Sequence, residues 1–167
     1  MKRSYLIVTI ILAIVALTSC SPAKNELVPG RYAGFKLSDH MDLTTKTEIG
    51  GSIMELALES DSLLLEKRFA RGTEELSMYI VKFERASQTT GFWYRLIRDV
   101  SNSFRATISA LPLLYGEFSG ETRDGFMRAW FSGRWLYVFF GDSRDAINNA
   151  VNAFKDFEKS LVKSIES

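Results

Sequence analysis

Two stretches of this chain, residues 63–84 and 125–141, alternate side chains as half-buried strands do. Each is broken once near a glycine and followed by apolar residues at helical spacing. In the first, Leu63 to Arg71 and Glu75 to Glu84 flank Gly72-Thr73, and a glycine at the first central position suits a type II′ turn. That register sets Leu65 opposite Ile80 and Phe69 opposite Leu76 on one side, and Glu66 opposite Tyr79 and Arg68 opposite Ser77 on the other. The first side reads as core and the second as wet. A helix from Ala86 to Val100 follows, for which Ser87 offers an N-cap, carrying Phe92, Trp93, Leu96, Ile97 and Val100. The second hairpin, 125–131 and 134–141 around Ser132-Gly133, precedes a helix capped by Asp142 or Ser143. Its apolar stripe runs through Ile147, Ala150, Val151, Phe154, Phe157, Leu161 and Ile165 and reads as core. Strand, strand, helix thus occurs twice, at 63–100 and 125–165, the pattern of a duplicated unit. The simplest assembly is an α+β fold, an antiparallel sheet from two hairpins with the helices packed on one face.

The remaining segments are less regular. Residues 31–40 read as extended. Residues 46–60 read as a helix with Ile49, Ile53, Leu56 and Ala57 on one face, its first turn weakened by Gly50-Gly51. A short strand is expected near 113–118, after Leu111-Pro112.

The N-terminus addresses location. Lys2 and Arg3 precede an apolar run from Tyr5 to Leu17, which is too short before Pro22 and Lys24 to span ~30 Å of hydrocarbon. Leu17-Thr18-Ser19-Cys20 resembles the lipobox of bacterial lipoproteins. The resemblance implies that residues 1–19 are a cleaved signal peptide, that Cys20 carries a diacylglycerol, and that the new N-terminus is acylated, for instance by palmitate. Ser21, where aspartate commonly signals inner-membrane retention, implies sorting to the outer membrane, facing the periplasm, if the envelope is Gram-negative. Residues 20–30 then read as a lipidated tether and 31–167 as a single domain. With the sole cysteine acylated, no disulfide is available, so the fold must stand on packing. The mature chain carries 19 basic against 20 acidic residues, with no basic stripe for nucleic acid. Tyr79-Ile80-Val81-Lys82-Phe83 with 86–94, and Gly133-Arg134-Trp135-Leu136-Tyr137-Val138, resemble an uncharacterised family of secreted bacterial domains across most of 35–165. Ile49-Gly50-Gly51 lacks the asparagine of that family's glycine motif, and the resemblance implies no activity.

The chemical repertoire is narrow. No free thiol remains, and His40, the single histidine, lies in Ser38-Asp39-His40-Met41-Asp42, a context expected of a solvated loop. No zinc ligand set, calcium loop or phosphate-binding glycine motif occurs, so no catalytic residue, metal or cofactor is expected. Glu55, Glu59, Glu117, Glu121 and Asp124 are the carboxylates from which a glycan hydrolase would need to draw its pair.

The remaining signal is aromatic, seven rings between Phe126 and Phe140. A turn at Ser132-Gly133 sets Trp130 opposite Trp135, Arg128 opposite Tyr137 and Phe126 opposite Phe139, all on one face. Either Arg128, Trp130, Trp135 and Tyr137 form an open platform for a sugar, peptide or envelope protein, or the rings are core. Arg128 within that face needs water or a partner. The expected function is a membrane-anchored, non-enzymatic envelope protein that binds a ligand or partner through exposed sheet surface. The alternatives are an envelope glycan hydrolase and a passive assembly or spacer lipoprotein.

Overall fold

A computed structural model describes residues 27–111 and 113–166. The expected signal peptide (1–19), Cys20 and residues 21–26 of the expected tether lie outside them. After a 3-10 turn at Pro29–Gly34 come β1 (Met41–Ile49), the two-residue strands β2 (Ser52–Ile53) and β3 (Leu56–Ala57), β4 (Leu63–Arg71), β5 (Glu74–Lys82) and helix α1 (Ala86–Val100). Then follow β6 (Ser101–Leu111), β7 (Tyr115–Thr122), β8 (Gly125–Ser132), β9 (Trp135–Gly141) and helix α2 (Arg144–Glu166). Seven strands make one antiparallel sheet in the order β1-β4-β5-β9-β8-β7-β6, and β2 pairs with β3 separately.

The fold is α+β, but the helices do not share a face. Residues that alternate along each strand go to two different cores. Leu65, Met78, Ile80, Trp130, Tyr137 and Phe139 pack with Ile147, Val151 and Phe154 of α2. Leu64, Val81, Met127, Phe131, Leu136 and Val138 pack with Phe92, Trp93 and Leu96 of α1. Strands β8 and β9 are apolar on both faces because a helix covers each, so their burial is nearly continuous. A local twofold between antiparallel β5 and β9 would bring both helices to one face. The helices on opposite faces correct that expectation.

The first hairpin has the expected register, with Leu65 opposite Ile80, Glu66 opposite Tyr79 and Arg68 opposite Ser77. In the second, Ser132 pairs with Trp135 and Trp130 with Tyr137, a shift of two residues from the expected pairing. The cause is Gly133, whose φ of +56° occupies the first central position, as Gly72 does at +63°. Residues 46–60 are not a helix. Gly50 and Gly51 both have positive φ, +73° and +90°, and end β1, with Gly51 set against the side chains of Glu48 and Leu64. Residues 101–111 and 115–122 form two full strands.

The N-terminal segment belongs to the domain from Leu27 rather than from residue 31. Leu27, Tyr32, Phe35 and Leu37 are buried on the α2 face, and the Leu27 carbonyl accepts from Lys82 Nζ at 2.5 Å. A buried lysine fastens this segment. Lys67 Nζ donates to the carbonyls of Ala33 (2.9 Å) and Phe35 (2.6 Å) and to Asp42 Oδ2 (3.0 Å). A bulge between Asp42 and Thr44 shifts the β1 register by one, which turns Asp42 onto the face of Lys67. Capping also differs between the helices. Ser143 Oγ accepts from Ala146 N as expected, whereas at α1 the Gln88 side chain accepts from Arg85 N and Ser87 does not serve as the cap.

Candidate binding cleft

The aromatic face of the second hairpin is closed. Trp130 is 8%, Trp135 4% and Tyr137 0% exposed, beneath α2 and the segment 27–37. Trp130 stacks on Tyr137 (5.0 Å between centroids) and Phe139 (5.7 Å), and Tyr32 meets Trp135 edge-on at 5.8 Å. Glu158 on α2 accepts from both Tyr32 (3.1 Å) and Tyr137 (2.9 Å). Burial first, then the Glu158 charge, pushes both phenols well above their ordinary range. Arg128 finds its partner inside the protein. Its guanidinium donates to Glu117 Oε1 at 2.7 Å and to Asn148 at 3.4 Å, while Nε is buried without an acceptor. Tyr115 donates to the other Glu117 oxygen at 2.5 Å. Burial and that bond raise the Tyr115 phenol to about 12. The bonds from Tyr115 and then Arg128 hold the Glu117 carboxyl below its usual range. The open-platform arrangement of Arg128, Trp130, Trp135 and Tyr137 is therefore corrected to a covered core with an ion pair at its margin.

The open surface lies on the opposite face. There α1 crosses β8 and β9, and only the β2–β3 ribbon covers part of β4 and β5. The sequence tracks the change of environment along each strand. On β4 the residues of this face run Leu64, Glu66, Arg68, and on β5 Val81, Tyr79, Ser77, apolar under cover and polar where the cover ends. Beyond the end of α1 this leaves a cleft of about 700 Å³. Glu66, Arg68, Ser77, Tyr79 and Phe140 floor it. Asp99 and Val100 of α1, Met54 to Leu56 of the β2–β3 turn, and Thr122 to Asp124 of the β7–β8 turn wall it.

Tyr79 is half-buried, and burial followed by the Glu66 charge raises its phenol, opposed by Ser77 and Arg68. It is a neutral donor at physiological pH. The wall at 54–56 is strained. Met54 and Glu55 form a two-residue turn with φ of +49° and +70°, a conformation that glycine or asparagine adopts more readily. Neither family models nor curated proteins match this chain. Among solved structures it is similar to a GTP binding regulator from Thermotoga maritima, with 18% identity, a TM-score of 0.53, and coverage of 75% of this chain and 86% of that one. The likeness is one of fold. It supports the α+β assignment and carries no ligand.

The other sequence candidates scatter. Of the five carboxylates considered for glycan chemistry, Glu55 and Asp124 line the cleft. Glu59 lies 3.5 Å from Arg95, and Glu117 serves Arg128 on the other face of the sheet. His40 Nδ1 donates to the Ser38 carbonyl (2.9 Å) in the loop before β1. Among the described residues no group of three His, Cys, Asp or Glu could hold a metal ion, and no helix is long and apolar enough to cross a membrane. The cleft escaped sequence reading because its walls come from two separate turns and the end of α1, although its floor was already legible as the wet side of the first hairpin.

Proposed function

We propose that this chain is a lipid-anchored envelope protein whose α+β domain binds a ligand or partner segment, without chemistry, in the cleft beside α1. The observation that carries the reading is the open floor of the cleft. A phenol, a phenyl ring and charges of both signs converge on one concave sheet surface, as binding sites require. Glu55, Glu66, Asp99 and Asp124 outnumber Arg68 and Arg123 in its lining. That balance favours a cationic or zwitterionic ligand, such as a lysine- and aromatic-containing peptide segment, and opposes a triphosphate. The fold neighbour is a GTP binding regulator, which nonetheless makes GTP a useful comparison probe.

The test is equilibrium binding to the full chain in detergent, with a fluorescent Lys-Tyr-Lys peptide and GTP as probes. Peptide binding that weakens severalfold in Glu66→Gln/Asp124→Asn, with no GTP binding, supports the reading. GTP binding without peptide binding would overturn the charge argument. The glycan-hydrolase alternative has Glu55 and Asp124 in the same cleft as its support. It requires turnover of a peptidoglycan fragment that falls by orders of magnitude, ~10²-fold or more, in Glu55→Gln or Asp124→Asn.

A further inference from the structure

We infer that one rim of the sheet is a membrane-contact surface, a hydrophobic tip that seats on the bilayer to which the chain is anchored. This inference rests on the lipid-anchor reading above. Six strand pairings run in register across one rank of the sheet: Ile49, Leu63, Lys82, Trp135, Ser132, Tyr115 and Leu111 are successive partners. At ~4.8 Å per strand the rank is ~29 Å wide, and the turns beyond it define one end of the molecule. The chain enters the domain at this end, where Leu27 is held by Lys82.

The exposed hydrophobic side chains gather at the same end. Of the eleven large hydrophobics exposed among the described residues, six stand here: Val28, Ile49, Leu111, Leu113, Leu114 and Tyr115. The opposite end carries the polar turns Gly72-Thr73, Arg123-Asp124 and Asp142-Ser143, with Met41 as its exposed hydrophobic. Leu113 and Leu114 form the tip of the β6–β7 turn, and Leu114 is 60% exposed. Leu114 can leave water at little cost to its own backbone. Leu114 N donates to Leu111 O (3.1 Å), and Leu114 O accepts from Gly133 N (3.0 Å). Tyr115 adds a ring whose hydroxyl is turned back to Glu117, an amphipathic arrangement suited to an interface.

The bilayer is the occupant because of tether length. From Cys20 to Leu27 is seven residues, which reach ~23–25 Å at full extension. With the lipid in the membrane, the Leu27 end must stay within that distance of the headgroups. The leucine tip lies ~19 Å along the rank from Lys82, within range of the same surface. The middle of the rim, with Asp61, Glu84 and Arg134, is polar, so contact is made by the apolar corners rather than by the whole edge.

The test uses the full lipidated chain in phosphatidylcholine/phosphatidylglycerol vesicles. An environment-sensitive fluorophore is placed at Leu113→Cys or, at the far end, at Thr73→Cys, and lipid-borne nitroxides act as quenchers. The inference expects severalfold stronger quenching at 113 than at 73, reduced toward the level at 73 when Leu114→Ser is added. Equal quenching at the two ends overturns it. A blue shift at 113 that grows with protein concentration but is not quenched by lipid would mean that a second copy covers the tip, and also overturns it. Mass spectrometry of the N-terminal peptide separates the two failures. An unacylated Cys20 removes the anchor reading and this inference together, whereas an acylated chain with equal quenching removes this inference alone.

Discussion

Replacing Lys67 with methionine should unfasten the N-terminal segment from the sheet. The ammonium is 1% exposed, and its three protons meet three acceptors, the Ala33 and Phe35 carbonyls and the Asp42 carboxylate. Methionine keeps the stem volume and removes all three bonds. The Asp42 side chain, 37% exposed, can rehydrate, so its loss costs little. The bond to Phe35 O is buried, and its acceptor is stranded at a cost of ~1–3 kcal/mol, with a further charge-assisted bond lost at Ala33. Relief of the desolvated charge offsets part of this. The net expectation is ~3 kcal/mol, the sum of two charge-assisted bonds at ~1.5–3 kcal/mol each less the desolvation relief. For a domain of this size that is roughly a 10 °C fall in Tm. Thermal and urea unfolding by circular dichroism measure it. Acrylamide access to Trp135, which lies under the fastened segment, should rise in parallel. Lys46→Met is the control. That amine pairs with Glu48 at 2.7 Å on the exposed face of β1, and its loss should leave the unfolding midpoint unchanged. If Lys67→Met stays within ~0.5 kcal/mol of the parent protein, the fastening argument is wrong.

With Trp93→Phe, so that Trp130 and Trp135 alone report, acrylamide quenching should be as weak as in a buried core, and strong quenching would reopen the aromatic face. Gly116→Ala sets a Cβ 2.3 Å from the Phe131 ring, and Gly133→Ala meets only backbone strain, since nothing lies within 4 Å. Chemical unfolding should therefore rank the first, at ~1–3 kcal/mol from overpacking plus ring displacement, above the second, at ~1–2 kcal/mol. Met54→Asn with Glu55→Gly relaxes two left-handed residues and should raise stability by ~1–2 kcal/mol, while changing one wall of the cleft. Glu117 gives a pH signature. Its folded carboxyl titrates below its unfolded value, so its contribution is complete above the ordinary glutamate range of about 4.3. That contribution is lost as the pH falls through the folded value. Stability should therefore drop more steeply on acidification in the parent protein than in Glu117→Gln, and parallel curves would remove Glu117 from the acid response.

What the sequence disclosed depended on how local the cause was. The first hairpin was legible to the residue because Gly72 supplies the positive φ at its turn, and the same rule applied to Gly133 would have corrected the second. The slip was by two residues, an even number, so Arg128, Trp130 and Tyr137 kept their common face while changing partners. Strand β1 was misread because it is an edge exposed on both sides. Thr44, Thr45 and Thr47 favour a strand, but no apolar alternation marks it, and Ile49 and Ile53 imitate helical spacing across a glycine turn. Whether the aromatic face was open could not be read locally. Its cover comes from Tyr32 and Glu158, residues 126 positions apart that meet over Tyr137. The candidate cleft divides in the same way, its floor of Glu66, Arg68, Ser77 and Tyr79 following from hairpin periodicity and its walls from where α1 stops. Since α1 ends at Val100, the polar residues on β4 and β5 begin where its cover runs out. The pattern that looked like an ordinary wet hairpin face is thus the imprint of a concave site.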